Sequence, residues 1–531
     1  MGLRNLCIAF NIELGKGYFP FLLSDIFYKG ILPKLEYWTG LSIKEYYLIQ
    51  LKFNNKVWSF KDEAIKYCKL DCKCLHEILV QFNKLIFNEF KVNIHISLTL
   101  PALAMKIYKS QFMPKNTIYQ LLGNVERDIR QSYTGGAVDV YIPHNRIESI
   151  FSRLFKKLYY YDVNSLYPTI MAKTPMPVGI PSAFEGDIRN IHPDAYGFFY
   201  CKITTPDNLK HPILQRRIKT SDGIRTIAGL GSWTGWIYSP EVDNAVKFGY
   251  QFEIIRGYEF KQGFIFREYV ERMYNLRLQY EKGHPLNLIA KLLMNSLYGK
   301  FGMKMENTII EMFDTNIDSD CELLKEMLDS YGMTIQDFIK IDNKLLTIRN
   351  SMLNPLDEDG DSDDNYHASD INVAIAAAVT AGGRMWMSLL KKNPNFNLYY
   401  SDTDSGVFDR PLPDFLVGEG LGKFKLEHVI TRAVFLAPKV YAFITEDGEE
   451  IIKIKGVSKE LLPGIHIQDL EDLLYINTSK ELNQEKWFKK IIEGEITVSD
   501  VAYTLKITSN KRAPIYFENV FENTKPFNYD E

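Results

Sequence analysis

Asp162, Asp402 and Asp404 are the side chains whose setting in this sequence suggests a hard divalent cation. Asp162 ends the run Tyr159-Tyr160-Tyr161 and is followed by Val163-Asn164-Ser165-Leu166-Tyr167-Pro168, which reads as a strand turning into a helix. Taken alone, helix capping by Asp162 or Asn164 explains the run equally well. Asp402 and Asp404 flank Thr403 between Asn397-Leu398-Tyr399-Tyr400-Ser401 and Ser405-Gly406-Val407-Phe408, the pattern of a β-hairpin with carboxylates at its tip. Turns favour Asp on their own account. Two carboxylates one residue apart nevertheless point the same way on a strand, and they repel unless a cation lies between them. With Asp162 they would offer oxygens to Mg²⁺, with substrate phosphates completing its shell. A third run, Lys291-Leu292-Leu293-Met294-Asn295-Ser296-Leu297-Tyr298-Gly299, spaces Lys291, Asn295 and Tyr298 along one helical face. Such a stripe is either a solvated face or a cation for phosphates beside an aromatic ring for a base.

These runs need elements to hold them. Residues 1–110 read as mixed helices and short strands, with Asp62–Phe90 at helical spacing. Residues 130–260 are rich in Thr, Val, Ile and Tyr, broken by Gly-Gly, Pro and Gly-Ser, as in strands joined by turns. Residues 263–300 form an antiparallel helical hairpin broken at Lys282-Gly283-His284-Pro285. An acidic stretch at 305–370, a buried helix at 371–391, a hairpin at 396–409, strands to about 460 and a helical tail complete the expected order.

Composition bounds the class. The 531 residues are 46% hydrophobic and 24% charged, a globular balance too long for one core at roughly 150 residues per domain. Six cysteines are too few for a disulfide scaffold. The longest apolar stretch, Val373–Ala381, falls short of the ~20 residues that span a bilayer, and no membrane partner is expected. The N-terminal residues read as mid-domain helix, without a leader. Cys68, Cys72, Cys74 and His76 lack paired zinc spacing, and Asp357, Asp359 and Asp361 lack the Gly and Glu of a Ca²⁺ loop. The net charge of −3, taken alone, argues against a nucleic-acid enzyme. Residues 305–370, however, hold 17 Asp/Glu against four Lys/Arg, so the rest of the chain is net positive. That acidic segment is expected to lie off any phosphate track.

In their order along the chain the three runs resemble motifs A, B and C of family B DNA polymerases. Tyr133-Thr134-Gly135-Gly136 resembles the family's template-touching Y-x-G-G, and Lys439-Val440-Tyr441 its primer-holding K-x-Y. Long spacers fall where the protein-primed branch of fungal mitochondrial linear plasmids and bacteriophages carries insertions. The resemblance implies an α+β multidomain right hand with an antiparallel palm sheet, helical-hairpin fingers and a small thumb, preceded by a partial ribonuclease-H-like exonuclease domain. Residues 1–125 would be that partial domain, 126–174 palm, 175–258 an insertion, 259–302 fingers, 303–370 the acidic insertion, 371–447 palm, and 448–531 thumb and tail. It further implies Asp162, Asp402 and Asp404 as catalytic metal ligands for two Mg²⁺, with Mn²⁺ as a substitute. Val163, Tyr167, Lys291, Asn295, Tyr298 and Arg277 would bind the nucleotide, with Tyr167 as a gate against ribose. Tyr133, Gly135, Gly136, Lys439 and Tyr441 would hold DNA. The implied partners are DNA template and primer, dNTPs and a terminal protein primer, for a monomer in the mitochondrion.

One departure stands out. Of three exonuclease motifs only the third is matched, by Tyr67 and Asp71, and Asn11-Ile12-Glu13 substitutes poorly for an Asp-x-Glu strand. The chain is therefore expected to begin after the first two motifs and to lack proofreading by itself. A catalytically inactive, truncated plasmid remnant is the competing reading. A reverse transcriptase ranks lower, because Thr403 separates acids that are contiguous in that class.

Overall fold

The computed structural model describes residues 2–13, 17–54, 56–147, 154–220, 223–303, 306–329, 333–341, 344–352, 371–458, 461–490, 495–509 and 511–529. These gather into two compact units, one of residues 1–112 and 268–297, the other of residues 113–267 and 298–531.

The first unit is helical. Its long helix Phe60–Phe90 starts at Ser59, whose hydroxyl accepts from the Asp62 amide, and stops at Lys91 in the left-handed region with φ 54°. Cys74, Ile78, Ile86 and Phe90 form its buried stripe at spacings of four and eight. The expected helical hairpin is present as Arg267–Gln279 and Pro285–Phe301. Its arms run antiparallel: the Tyr269 hydroxyl donates to the Leu293 carbonyl at 3.0 Å, and the Asn287 amide donates to the carbonyls of Arg277 and Tyr280.

The second unit is built on a seven-stranded antiparallel sheet. In order across it stand Glu450–Ile454, Val440–Thr445, Phe424–Ala437, Leu158–Val163, Ser405–Phe408, Leu398–Asp402 and Val138–Val140. Its apolar core gathers Leu158, Tyr400, Val407, Val434, Phe435 and Phe443 with Leu470, Leu474, Leu505 and Phe521. Each fully buried side chain of this size contributes about 1.5–3 kcal/mol. A second sheet, in the order Met176–Glu185, Gln251–Gly263, Gly197–Thr204 and Ser232–Tyr238, packs its own core around Phe199, Cys201, Ile237 and Val242. A separate two-stranded ribbon, Arg216–Thr220 with Gly223–Ile227, extends from the same stretch.

One expectation needs correcting. The tail is not helical. Beyond the short helix Ile467–Glu471 it forms the paired strands Lys480–Lys490 and Glu495–Leu505, then Arg512–Phe517 and Val520–Pro526. The buried helix expected at 371–391 is present as Val373–Lys391, which is, among the described residues, the one long and apolar enough by composition to cross a membrane. Here it lies in the core, with Val373–Arg384 buried throughout. Within the acidic stretch, Glu306–Asp314, Lys344–Met352 and Met333–Ile341 form a three-stranded sheet with the helix Asp318–Asp329. The run Asp357–Asp364 lies outside the described residues.

Candidate active site

Asp162 and Asp404 are joined through the backbone. Asp162 stands opposite Ser405 and Lys425 on the two flanking strands, and the Val163 amide donates to the Asp404 carbonyl at 2.8 Å. The capping alternative fails: Ser165, at φ 54°, precedes the helix Leu166–Lys173, which has no side-chain cap. Asn164 instead ties down the loop before Phe424, its side chain donating to the Gly418 carbonyl at 2.8 Å and its backbone bonding Gly422 and Lys423.

The carboxylate hairpin differs from a simple strand alternation. Asp402 closes the strand, Thr403 adopts φ 58°, and Asp404 lies in the turn. A β-branched residue seldom takes a left-handed conformation, so the surroundings must enforce it. They do: the Thr403 amide donates to the Ala137 carbonyl at 2.9 Å, and Gly136 presses on the turn so closely that a Cβ there would lie 2.7–2.9 Å from Thr403. That contact explains the second glycine of the Tyr-x-Gly-Gly run.

Both Asp402 carboxylate oxygens accept from Lys439 Nζ, at 2.7 and 2.6 Å. Lys439 has φ 63°, and its amide donates to the Tyr400 hydroxyl at 3.0 Å. Tyr400 stacks on Phe435 with centroids 5.2 Å apart, and Tyr441 packs against it at 5.1 Å. Burial pushes the Asp404 carboxyl above the usual carboxylate range, and the nearby Asp402 charge adds to the shift while Lys439 opposes it. A desolvated, like-charged acid is the kind of group that gains from a cation. Among the described residues no three His, Cys, Asp or Glu side chains converge to hold a metal by themselves. Mg²⁺ ordinarily takes one or two protein carboxylates and completes its shell with phosphates and water, so Asp162 and Asp404 suit it as a pair.

Tyr167 and Tyr298 form the aromatic wall, with centroids 4.5 Å apart at 43°, and burial raises both phenols. Tyr167 is seated from behind by Gly383, where a Cβ would stand 3.0 Å from its ring. Tyr133 packs against Gly302 just past the helix Pro285–Phe301; a Cβ at Gly302 would meet the Tyr133 hydroxyl at 2.6 Å. Lys291, Asn295 and Arg277 belong to the first unit, where the Asn295 amide donates to the Lys291 carbonyl at 2.7 Å. Tyr67 and Asp71 lie one turn apart on the helix Phe60–Phe90, with the Tyr67 ring against Phe19 and Phe21.

One pair escaped sequence reasoning. Arg384, on the buried helix Val373–Lys391, grips both Glu241 oxygens through Nε at 2.9 Å and Nη2 at 2.8 Å. Its remaining nitrogen donates to the carbonyls of Thr134 at 2.6 Å and Gly135 at 3.2 Å. The available signal was an arginine three residues past the most apolar run of the chain.

Residues 2–395 match the family model for DNA polymerase type B, organellar and viral. The chain is 34% identical over 97% of its length to a probable DNA polymerase of Ascobolus immersus, and 33% identical over 93% to one of Neurospora intermedia. It spans 42% and 50% of those proteins, about half or less of their length. Its fold matches phi29 DNA polymerase, solved with primer-template DNA and incoming nucleotide, at TM-score 0.61 and 18% identity, covering 95% of this chain and 78% of that one. That likeness shows the α+β right-hand fold of family B polymerases. With the family model covering well over half its length, the chain belongs to the organellar and viral type B DNA polymerases.

Proposed function

We infer that this chain adds deoxynucleotides to a primer 3′-hydroxyl under template direction, in protein-primed replication of a linear plasmid or mitochondrial element. The observation that carries this reading is the joining of Asp162 to Asp404 on neighbouring strands, beside the Asp402–Lys439 ion pair. Primer-extension assay with Mg²⁺ and dNTPs is the test; binding of DNA without extension would leave the inactive remnant.

Nucleotide addition is attack of the primer 3′-oxygen on the α-phosphorus with loss of pyrophosphate, and the protein chiefly positions groups and neutralises charge. Two bound Mg²⁺, or Mn²⁺, would supply Lewis-acid stabilisation of the entering and leaving oxygens. Asp162 and Asp404, with the Val163 carbonyl, would hold them, and Asp402 would assist. Lys291 and Arg277 would clamp the phosphates, Asn295 would line the nucleotide, and Tyr298 would pack on the nascent pair. Tyr133, Gly135 and Gly136 would carry the template, and Lys439 and Tyr441 the primer end. The Lys439–Asp402 bond then couples primer grip to the carboxylate turn.

In this reading residues 126–174 and 371–447 are palm, 259–302 fingers, and 448–531 thumb and tail. Residues 175–258 and 303–370 are insertions, and 1–125 a partial exonuclease-like domain. The partners are template, primer, dNTPs and a terminal protein, for a monomer in the mitochondrion.

Tyr167→Val should admit ribonucleotides, lowering the dNTP/rNTP ratio of kcat/KM by about 10–200-fold, the range for one group in an apolar pocket. Unchanged discrimination would remove the gate. Two-metal hydrolysis needs carboxylates from several segments, so this chain alone should show no 3′–5′ excision on a mismatched primer. Excision that disappears with Asp71→Ala would refute this.

A further inference from the structure

The ribbon Arg216–Thr220/Gly223–Ile227 has no part in the chemistry above, yet it begins at the site. An Arg217 guanidinium nitrogen donates to the Tyr133 carbonyl. Three residues on, Gly136 and Ala137 hold the Thr403 turn. A continuous path therefore runs from the carboxylates, past Tyr133, onto the ribbon.

Its two faces differ. Arg216, Ile218 and Ile227 share one face, since Arg216 pairs with Ile227 and side chains alternate. This face is docked: the Arg216 guanidinium lies 5.3 Å over the Tyr529 ring, and the Tyr529 hydroxyl donates to the Ile227 carbonyl at 2.8 Å. The other face carries Arg217 and Lys219, opposite Thr226 and Ile224. Lys219 is exposed, and Ile224 beside it is 71% exposed. From Asn208 to Pro240 the sequence has five Lys/Arg and a single acid, Asp222.

We propose that this open face binds the unpaired template strand where it continues past Tyr133. The inference rests on the polymerase reading, because it takes Tyr133 as a template contact. Charge complementarity selects a polyanion. Cations two residues apart on a strand stand about 6.7 Å apart, so both can meet one sugar-phosphate backbone. The apolar Ile224 side chain, directly opposite Lys219, gives an exposed base a surface that a duplex would not use. The ribbon meets the site at Tyr133, not at Lys439–Tyr441, which selects template over primer.

The test is fluorescence anisotropy with one primer-template duplex bearing a short or a long 5′ template overhang. Lys219→Ala should weaken long-overhang binding several-fold and lower its salt slope by about one, while short-overhang binding stays unchanged. Ile224→Asp should act in the same direction. Equal loss on both substrates, or no loss, would overturn the proposal. Intact DNA binding with impaired initiation on the protein primer would also overturn it, assigning the ribbon to that protein. If the unaltered chain binds neither substrate, the polymerase reading itself falls.

Discussion

Asp404→Asn should abolish primer extension while leaving the protein folded. The Asp404 carbonyl, not its side chain, holds the Val163 amide, so the hairpin geometry survives the change. In the proposed reading, what disappears is an anionic ligand at a centre where metal ions would contribute several kcal/mol of charge stabilisation. At about 1.4 kcal/mol per decade, a loss of kcat on the order of 10³-fold or more is expected. Stability should move the other way. Burial raises the Asp404 pKa in the native state, so the folded protein keeps that proton to higher pH than the unfolded chain does. The resulting stabilisation is present at low pH and is lost as pH rises through the native pKa. An amide carries no such penalty. Thermal denaturation without divalent ions should therefore give Asp404→Asn a Tm equal to or above that of the parent at neutral pH. Retained extension would remove Asp404 from the metal site, and a lowered Tm would show that its charge stabilises the turn.

Much of this was legible in the sequence because chain order and local pattern agree. The hairpin Leu398–Asp402/Ser405–Phe408, the helical arms around Lys282–Pro285 and the helix Phe60–Phe90 each announce themselves by period and punctuation. The tail was misread for a physical reason. Lys480–Lys490 is rich in Lys, Glu and Gln, good helix formers, but it pairs residue for residue with the Ile-, Val- and Thr-bearing Glu495–Leu505. Cross-strand pairing overrides weak intrinsic preference. The left-handed Thr403 was invisible for a similar reason, since it is imposed by Ala137 and Gly136 from far away in sequence. The same holds for Arg384, whose partners Glu241 and Thr134-Gly135 come from two distant segments.

That arginine carries the second large effect. Arg384 and Glu241 are both nearly inaccessible, with side chains 5% and 8% exposed, and their pairing is bidentate. Removing one member leaves the other charged and unpaired in a low-dielectric interior, a loss of about 3–5 kcal/mol. Arg384→Met should lower the unfolding free energy by that amount, and Glu241→Gln should do so by somewhat less, since an amide can still accept one bond. A buried ion pair exchanged for apolar residues is often neutral, so Arg384→Met combined with Glu241→Leu should recover much of the stability. DNA affinity should not recover with it. The Thr134 and Gly135 carbonyls lose their donor in either background, and the Tyr133–Gly136 segment that backs the carboxylate turn loses its anchor. The double variant should then fold near the parent's midpoint yet bind primer-template more weakly. A stability loss below about 1 kcal/mol for Arg384→Met, the scale of an exposed pair, would show the clamp to be unimportant. Full DNA affinity in the double variant would separate it from the proposed template segment.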